Sequence, residues 1–135
     1  MLTELRVEGA ARGIEKFSEA LLPALRCEDG AECEAPAWLS EQFSSPLTKE
    51  QRDRWLDEWR RASDAGKAQM EKSAGWEKGD WFHWVTGESG FWTIQRIVPR
   101  DAISLTVVLD AVDWPVPIAA LEWLAEKSGV RIRHE

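Results

Sequence analysis

The first two elements that the hydrophobic pattern predicts are a short strand and an amphipathic helix. Residues 3 to 8 alternate polar and apolar positions, which is typical of a strand with one buried face. From residue 11 to residue 22 the apolar residues recur at helical spacing. Pro23 lacks a backbone donor and its ring collides with the preceding turn, so we predict that this helix stops or kinks there.

The strongest helix signal begins at Thr48, after an irregular segment over residues 26 to 47. Thr48-Lys-Glu-Gln51 matches the capping box. In this motif the threonine hydroxyl accepts a hydrogen bond from the backbone amide of the glutamine, and the glutamine side chain accepts one from the backbone amide of the threonine. Apolar residues share one face from residue 49 to residue 73. A mid-helix glycine costs about 1 kcal/mol relative to alanine. We therefore predict one long helix with a bend at Gly66.

Three strand-like runs follow, at residues 80 to 86, 91 to 98 and 103 to 111. The segments between them have the length and the Gly or Pro content of turns. The third run alternates regularly from Ile103, which predicts that this isoleucine points inward. The three runs together predict an antiparallel three-stranded meander.

A Trp-Pro-Val-Pro corner at residues 114 to 117 separates the meander from the last helix. Gly129 is expected to end that helix in a left-handed conformation, and residues 130 to 134 suit a short edge strand. The chain is long enough for one domain. We predict a single α+β domain over residues 1 to 135, in two layers, with helices covering the meander and with short terminal strands beside it.

The charge balance indicates the class of partner. The net charge is −7 over 135 residues, which argues against nucleic-acid binding because a binder needs a basic face for the phosphates. A basic protein or a cationic ligand suits this field better. The alternative is that the acidic charge serves solubility alone.

The N-terminal sequence shows no basic segment followed by an apolar one, and no apolar run approaches the length of a membrane span. We therefore expect a soluble, cytoplasmic protein. In that compartment Cys27 and Cys33 are expected to be reduced, and a local disulfide is the alternative in an oxidising one. The two histidines are not spaced as zinc-finger ligands, so no metal site is predicted.

Nine tryptophans are more than a core of this size can readily bury. At up to ~250 Å² each they would claim about 2,000 Å² of interior surface. We expect two or three to be partly exposed and to anchor an interface, with Trp114 as the first candidate and Trp92 and Trp81 next. The alternative is that all nine are core or boundary residues.

Carboxylates at the predicted turns and strand ends are the other candidate partner-binding groups. Asp113 precedes Trp114, Asp110 ends the third strand, and Glu88 lies in the first hairpin loop. Ordinary solvated turn residues would show the same pattern. An acidic loop adds Glu28, Asp29 and Glu32.

The chain contains no Gly-rich phosphate loop, no Gly-x-Ser-x-Gly elbow and no His-Glu-x-x-His motif. We therefore expect a binding protein rather than an enzyme, without catalytic residues, metal or cofactor. A small hydrolase using His83 with a turn carboxylate is one alternative. A small-molecule or carbohydrate module that stacks its ligand on exposed tryptophans is another.

The C-terminal half also carries a family resemblance. Phe91-Trp92, the Val-Asp-Trp-Pro-Val-Pro corner ending at Pro117 and the Ala-Leu-Glu-Trp-Leu helix at residues 120 to 124 fall within residues 76 to 129. This stretch resembles small acidic bacterial proteins, in character like the immunity proteins that neutralise polymorphic or secretion-system toxins. The resemblance implies no catalytic residue and transfers no binding residue. Together with the acidic charge, the small size, the surplus tryptophan and the lack of catalytic motifs, it leads to the hypothesis of a protein that binds a cognate, basic toxin domain and occludes its active site.

Overall fold

The fold is α+β, with an open four-stranded antiparallel sheet covered by helices. A computed structural model describes residues 1 to 27 and 33 to 134, without the side chain of residue 134. The strands are β1 (Leu2–Gly9), β2 (Trp92–Asp101), β3 (Ser104–Ala111) and β4 (Val130–His134). The helices are α1 (Ala11–Leu25), α2 (Ala37–Ser40), α3 (Lys49–Arg61), α4 (Asp64–Ala74), α5 (Lys78–Val85) and α6 (Ala119–Ser128).

The sheet has the strand order β2-β3-β1-β4. Strands β2 and β3 form a hairpin, β1 pairs antiparallel with β3, and β4 pairs antiparallel with the other side of β1. The predicted terminal strands are therefore confirmed, and β1 is an inner strand. Its inward residues Leu5 and Val7 are almost fully buried and belong to the core beneath α1, α5 and α6.

The first predicted strand of the meander, residues 80 to 86, is wrong, because this segment is helix α5. Trp81, Phe82 and Val85 are buried at helical spacing, whereas His83 is exposed. The run is apolar on both alternating faces, so it has no period of two, and a short apolar run also fits a buried helix. Instead, β1 near the N-terminus is the strand that joins β2 and β3 in the sheet.

Helix α1 continues past Pro23 for two residues and ends at Leu25. The proline lies in the last turn, so the interruption affects only the end of the helix. Burial supports the extension, because Leu21 and Ala24 are 0% and 1% exposed in the core. The burial of Ala24 therefore favours helical backbone beyond Pro23, where the helix was predicted to stop or kink.

The predicted long helix is divided into α3 and α4, which we call the helical arm. The capping box at Thr48 and Gln51 forms as predicted. The chain does not bend at Gly66 but breaks just before it, at Ser63, whose hydroxyl accepts a hydrogen bond from the Gly66 amide at 3.1 Å. A serine N-cap offers a second helix start that competes with a continuous helix.

The β2–β3 hairpin turns later than predicted. Strand β2 runs through Pro99 to Asp101, with a register irregularity between these two residues. Because β2 is an edge strand, a proline there need not interrupt the sheet. Ile103 falls in the tight turn and is 58% exposed, so its predicted inward orientation is wrong.

Cys27 and Cys33 form a disulfide, so the expectation of two reduced cysteines is wrong for this structure. Cys33 is buried with the core. The predicted binding residues Glu28, Asp29 and Glu32 lie between the two cysteines, outside the described residues. The pairing leaves neither thiol free to bind zinc, while cytoplasmic location stays a prediction.

Among residues 1 to 27 and 33 to 134, no helix has both the length and the apolar character that crossing a bilayer requires.

Candidate functional sites

Trp81 and Trp92 lie inside the core, so the expectation that they are exposed anchors is wrong. Their exposed fractions are 0% and 1%. The Trp81 indole donates to the Ala120 carbonyl at 3.0 Å, and the Trp92 indole donates to the Pro117 carbonyl at 2.7 Å. Buried indoles need such acceptors. These two tryptophans therefore fix the start of α6 against α5 and β2.

Trp114 is exposed, as predicted for the first candidate anchor. Its exposed fraction is 61%, and its peptide bond to Pro115 is cis. The Asp113 carboxylate accepts a hydrogen bond from the Trp114 backbone amide at 2.7 Å. The corner thus presents an indole and a carboxylate from adjacent residues.

Two further apolar side chains lie at the same end of the sheet as Trp114. Phe91 and Val112 are 55% and 75% exposed, and the Val112 amide donates to the Phe91 carbonyl at 3.0 Å. The Phe91 ring stacks on the partly buried Trp84 at 5.4 Å. We call Phe91, Val112 and Trp114 the sheet-end patch.

Three of the predicted carboxylates lie within three residues of a member of the sheet-end patch. Asp113 lies within the corner, and Asp110 pairs with the N-terminal amine at 3.0 Å. Glu88 lies in the loop before Phe91, with its carboxylate 3.5 Å from His83 Nδ1. An exposed aromatic and aliphatic patch with a charged rim has the composition of a protein interface.

His83 lies on the protein surface. Its side chain is 49% exposed on α5, and its contact with Glu88 is a surface pair. Neither the 500 Å³ cavity beside β4 nor the larger cleft described next is lined by His83. The part of the chain that the structure describes also gathers no group of three or more His, Cys, Asp or Glu residues that could hold a metal ion.

A cleft of about 880 Å³ lies between the helical arm, the start of α5 and one side of α6. Partly exposed indoles line it, from Trp55, Trp76 and Trp123. Its carboxylates are Glu71, Glu77, Asp80, Glu122 and Glu126. Lys72 is the cationic residue in its lining. We call this site the acidic aromatic cleft.

Local hydrogen bonds and ring contacts fix the walls of the acidic aromatic cleft. The Ser44 amide donates to the Trp76 carbonyl, and the Ser44 hydroxyl donates to the Ala74 carbonyl, both at 2.8 Å. The Trp123 ring stacks on Phe43 at 5.3 Å, which leaves part of the indole facing the cleft. The walls are thus tied to the end of α4 and to the core.

The helical arm is held together by contacts across its two helices. The Trp59 indole donates to the Glu71 carboxylate at 3.2 Å, and the Lys67 ammonium lies 4.7 Å from the centre of the Trp59 ring. Neither α3 nor α4 contains a fully buried residue. The arm therefore packs mainly on itself and forms one wall of the cleft.

Sequence reasoning missed the acidic aromatic cleft because its indoles come from segments far apart in the chain. Trp55 belongs to the apolar face that the sequence predicts for a single long helix over residues 49 to 73. Once that helix breaks at Ser63, its apolar stripe no longer forms one continuous face. The Glu122-Trp123 pair followed by Glu126 was the available local signal, since helical spacing places residues 122 and 126 together.

The sheet face away from the helices, which we call the open sheet face, has a different charge character. It carries Arg6, Arg96, Arg100, Arg131 and Arg133. Carboxylates on this face include Glu8, which contacts Arg6 at 2.8 Å and Arg133 at 3.5 Å. Glu4, Asp101 and Asp110 fall on the same face by strand register, so the open sheet face is close to charge balance, whereas the cleft has a carboxylate excess.

Asp101 is the group with a shifted pKa among the described residues. Its carboxylate accepts hydrogen bonds from the Ile103 amide at 2.9 Å and the Ser104 hydroxyl at 3.0 Å. These bonds, the Ile103 amide first, hold the pKa of Asp101 below its ordinary value of 3.8. This carboxylate therefore belongs to the turn structure of the β2–β3 hairpin.

The chain matches no protein-family model, and comparisons with curated proteins and with solved structures also found no match. The resemblance to immunity proteins thus stays a prediction that rests on the sequence motifs alone.

Proposed function

We propose that this chain is an immunity-type protein that binds a basic bacterial toxin domain and occludes its active site. The observation that supports the proposal best is the sheet-end patch with its rim of carboxylates. Phe91, Val112 and Trp114 are each more than half exposed. Clustered exposed aromatic side chains of this kind supply most of the binding energy at protein interfaces.

The charge of the chain supports a basic partner. A stable protein interface buries about 1,600 Å² in total, so the partner would cover the sheet-end patch and much of its surroundings. In the proposed complex the apolar side chains lie at the centre, and Asp110, Asp113 and Glu88 face cations at the rim. Rim charges accelerate association at low salt more than they add affinity.

The experiment is co-purification of the chain with the protein encoded by the neighbouring gene, followed by affinity measurements on two variants. Trp114→Ala removes the central indole, and we expect it to weaken binding by at least about 30-fold. Ile103→Ala removes a similarly exposed apolar side chain from the β2–β3 turn, at the end of that hairpin away from the sheet-end patch. Binding should then change by less than about twofold. Absence of binding at low salt, or equal effects of the two variants, would reject the proposal.

A carbohydrate-binding module is the second candidate, because Trp114 also offers an exposed indole on which a sugar ring could stack. Saturable quenching of tryptophan fluorescence by a member of a sugar panel, abolished by Trp114→Ala, would favour this function over toxin binding.

A further inference from the structure

We propose that the acidic aromatic cleft binds a linear polycation in which alkyl segments separate ammonium groups, as in the aliphatic polyamines. The cleft shares no lining residue with the sheet-end patch. This inference therefore goes beyond the proposed function and does not depend on it.

The charge balance of the cleft indicates a ligand with several positive charges. Among residues 1 to 27 and 33 to 134, five carboxylates and one cationic residue, Lys72, line the cleft, which leaves an excess of four negative charges. A ligand with about four ammonium groups would neutralise that excess. A singly charged cation would leave most of the carboxylates unpaired.

The helix dipole accounts for some of these carboxylates but not for all of them. Asp80 and Glu122 lie in the first turns of α5 and α6, where a negative charge is favourable. Glu71 and Glu126 lie in the last turns of α4 and α6, where the helix dipole disfavours it. A cationic ligand would offset this unfavourable interaction at both residues, and Glu71 would keep the hydrogen bond that it accepts from the Trp59 indole.

The indoles that line the cleft suit a ligand that carries both ammonium groups and alkyl segments. Indole faces attract ammonium groups within about 6 Å of the ring centre. The chain already contains two such pairs, Lys67 over Trp59 at 4.7 Å and Lys16 over Trp38 at 5.3 Å. The three cleft indoles would hold alkyl segments and ammonium groups in the same way.

The spread of the charged groups favours an elongated ligand over a compact one. The carboxylates come from α4, from the start of α5 and from α6, on different sides of a cleft of about 880 Å³. Sites of about 300–1,000 Å³ accommodate ligands of drug size or a short stretch of chain. A free polyamine and a run of lysine side chains share this chemistry, and they are distinguished by experiment.

The test is calorimetric titration of the full chain with putrescine, spermidine, spermine and a tetralysine peptide at low ionic strength. We expect affinity to rise by about tenfold from putrescine to spermine, because each added ammonium meets another carboxylate. Saturable binding of spermine indicates a free polyamine as the ligand. Saturable binding of tetralysine alone also supports the alkylammonium chemistry and identifies a protein segment as its source.

Matched variants separate the cleft from the general charge of the protein. Glu77→Gln with Glu126→Gln should weaken spermine binding by about tenfold or more. Glu4→Gln with Glu19→Gln changes the net charge equally at exposed positions outside the cleft, and binding should fall by less than about twofold. Trp55→Leu is a further variant that should weaken binding without changing the charge.

Two results would overturn the proposal. One is the absence of saturable heat with all four ligands. The other is an equal loss of affinity in the cleft variant and its charge-matched control, which would show nonspecific attraction. Trp114→Ala should leave spermine binding unchanged, so failure of this proposal and failure of the toxin-binding proposal are distinguishable.

Discussion

At the scale of single residues, Gly13 shows how closely the N-terminal segment approaches the C-terminal one. A Cβ atom added at Gly13 would lie 2.8 Å from the Ser128 carbonyl oxygen and 2.8 Å from Val130 Cγ1. One at Gly9 would lie 2.7 Å from the same valine methyl. These glycines let the end of β1 and the start of α1 lie close to the junction of α6 and β4.

Gly13→Ala should therefore destabilise the fold by about 1–3 kcal/mol, because the backbone of residue 128 must move to admit the methyl group. Gly79→Ala in α5 is the matched control, since nothing lies within 4 Å of its added Cβ. It should be neutral or stabilising by up to about 1 kcal/mol. Urea unfolding of the two variants measures both values, and equal stability would contradict this account of Gly13.

Exposure of individual tryptophans was only partly predictable from the sequence. Trp114 precedes a proline in a stiff corner beside an aspartate, and these local features correctly indicated an exposed side chain. Trp81 and Trp92 carry no local sign that their indole donors find the carbonyls of Ala120 and Pro117. Those acceptors lie 39 and 25 residues away in the chain, so only the tertiary fold reveals them.

At the scale of elements, the predictions that proved correct are those that depend only on residues close together in the sequence. The capping box at Thr48 and the left-handed Gly129 at the end of α6 depend on a few neighbouring residues, and both form as predicted. The segment of α5 was predicted as a strand because a short run that is apolar on both faces shows neither helical nor strand periodicity. Its conformation depends on burial against α1 and α6, which the local sequence does not encode.

The β2–β3 hairpin gives a pH-dependent prediction at this scale. Asp101 has a pKa below its ordinary value of 3.8, so the folded state favours the ionised carboxylate. Its stabilising contribution is present above that ordinary value and is lost as the pH falls through the lower, folded-state pKa. Acidification should therefore weaken the turn.

Asp101→Asn keeps an oxygen that can accept the same hydrogen bonds but removes the titration. Its thermal midpoint should fall less than that of the unmodified chain between about pH 5 and about pH 2. Glu19→Gln, at an exposed position on α1, should follow the unmodified chain. Identical pH dependence in all three proteins would show that the turn bonds of Asp101 do not contribute.

At the scale of the whole molecule, charge and apolar surface are unevenly distributed. Arginines and carboxylates mix on the open sheet face, five carboxylates line the acidic aromatic cleft, and the sheet-end patch combines exposed apolar side chains with nearby carboxylates. The sequence predicted the α+β class and an acidic protein with surplus indole. It could not predict the strand order or the cleft, because both depend on contacts between distant segments.

We propose that the sheet-end patch is the surface that meets a basic partner. Hydrogen exchange of the chain, alone and in complex with the product of the neighbouring gene, tests it most directly. We predict slower amide exchange in the complex at residues 88 to 92 and 110 to 116, with no change at the hairpin turn around Ile103. Protection confined to the open sheet face or to the acidic aromatic cleft would contradict the claim.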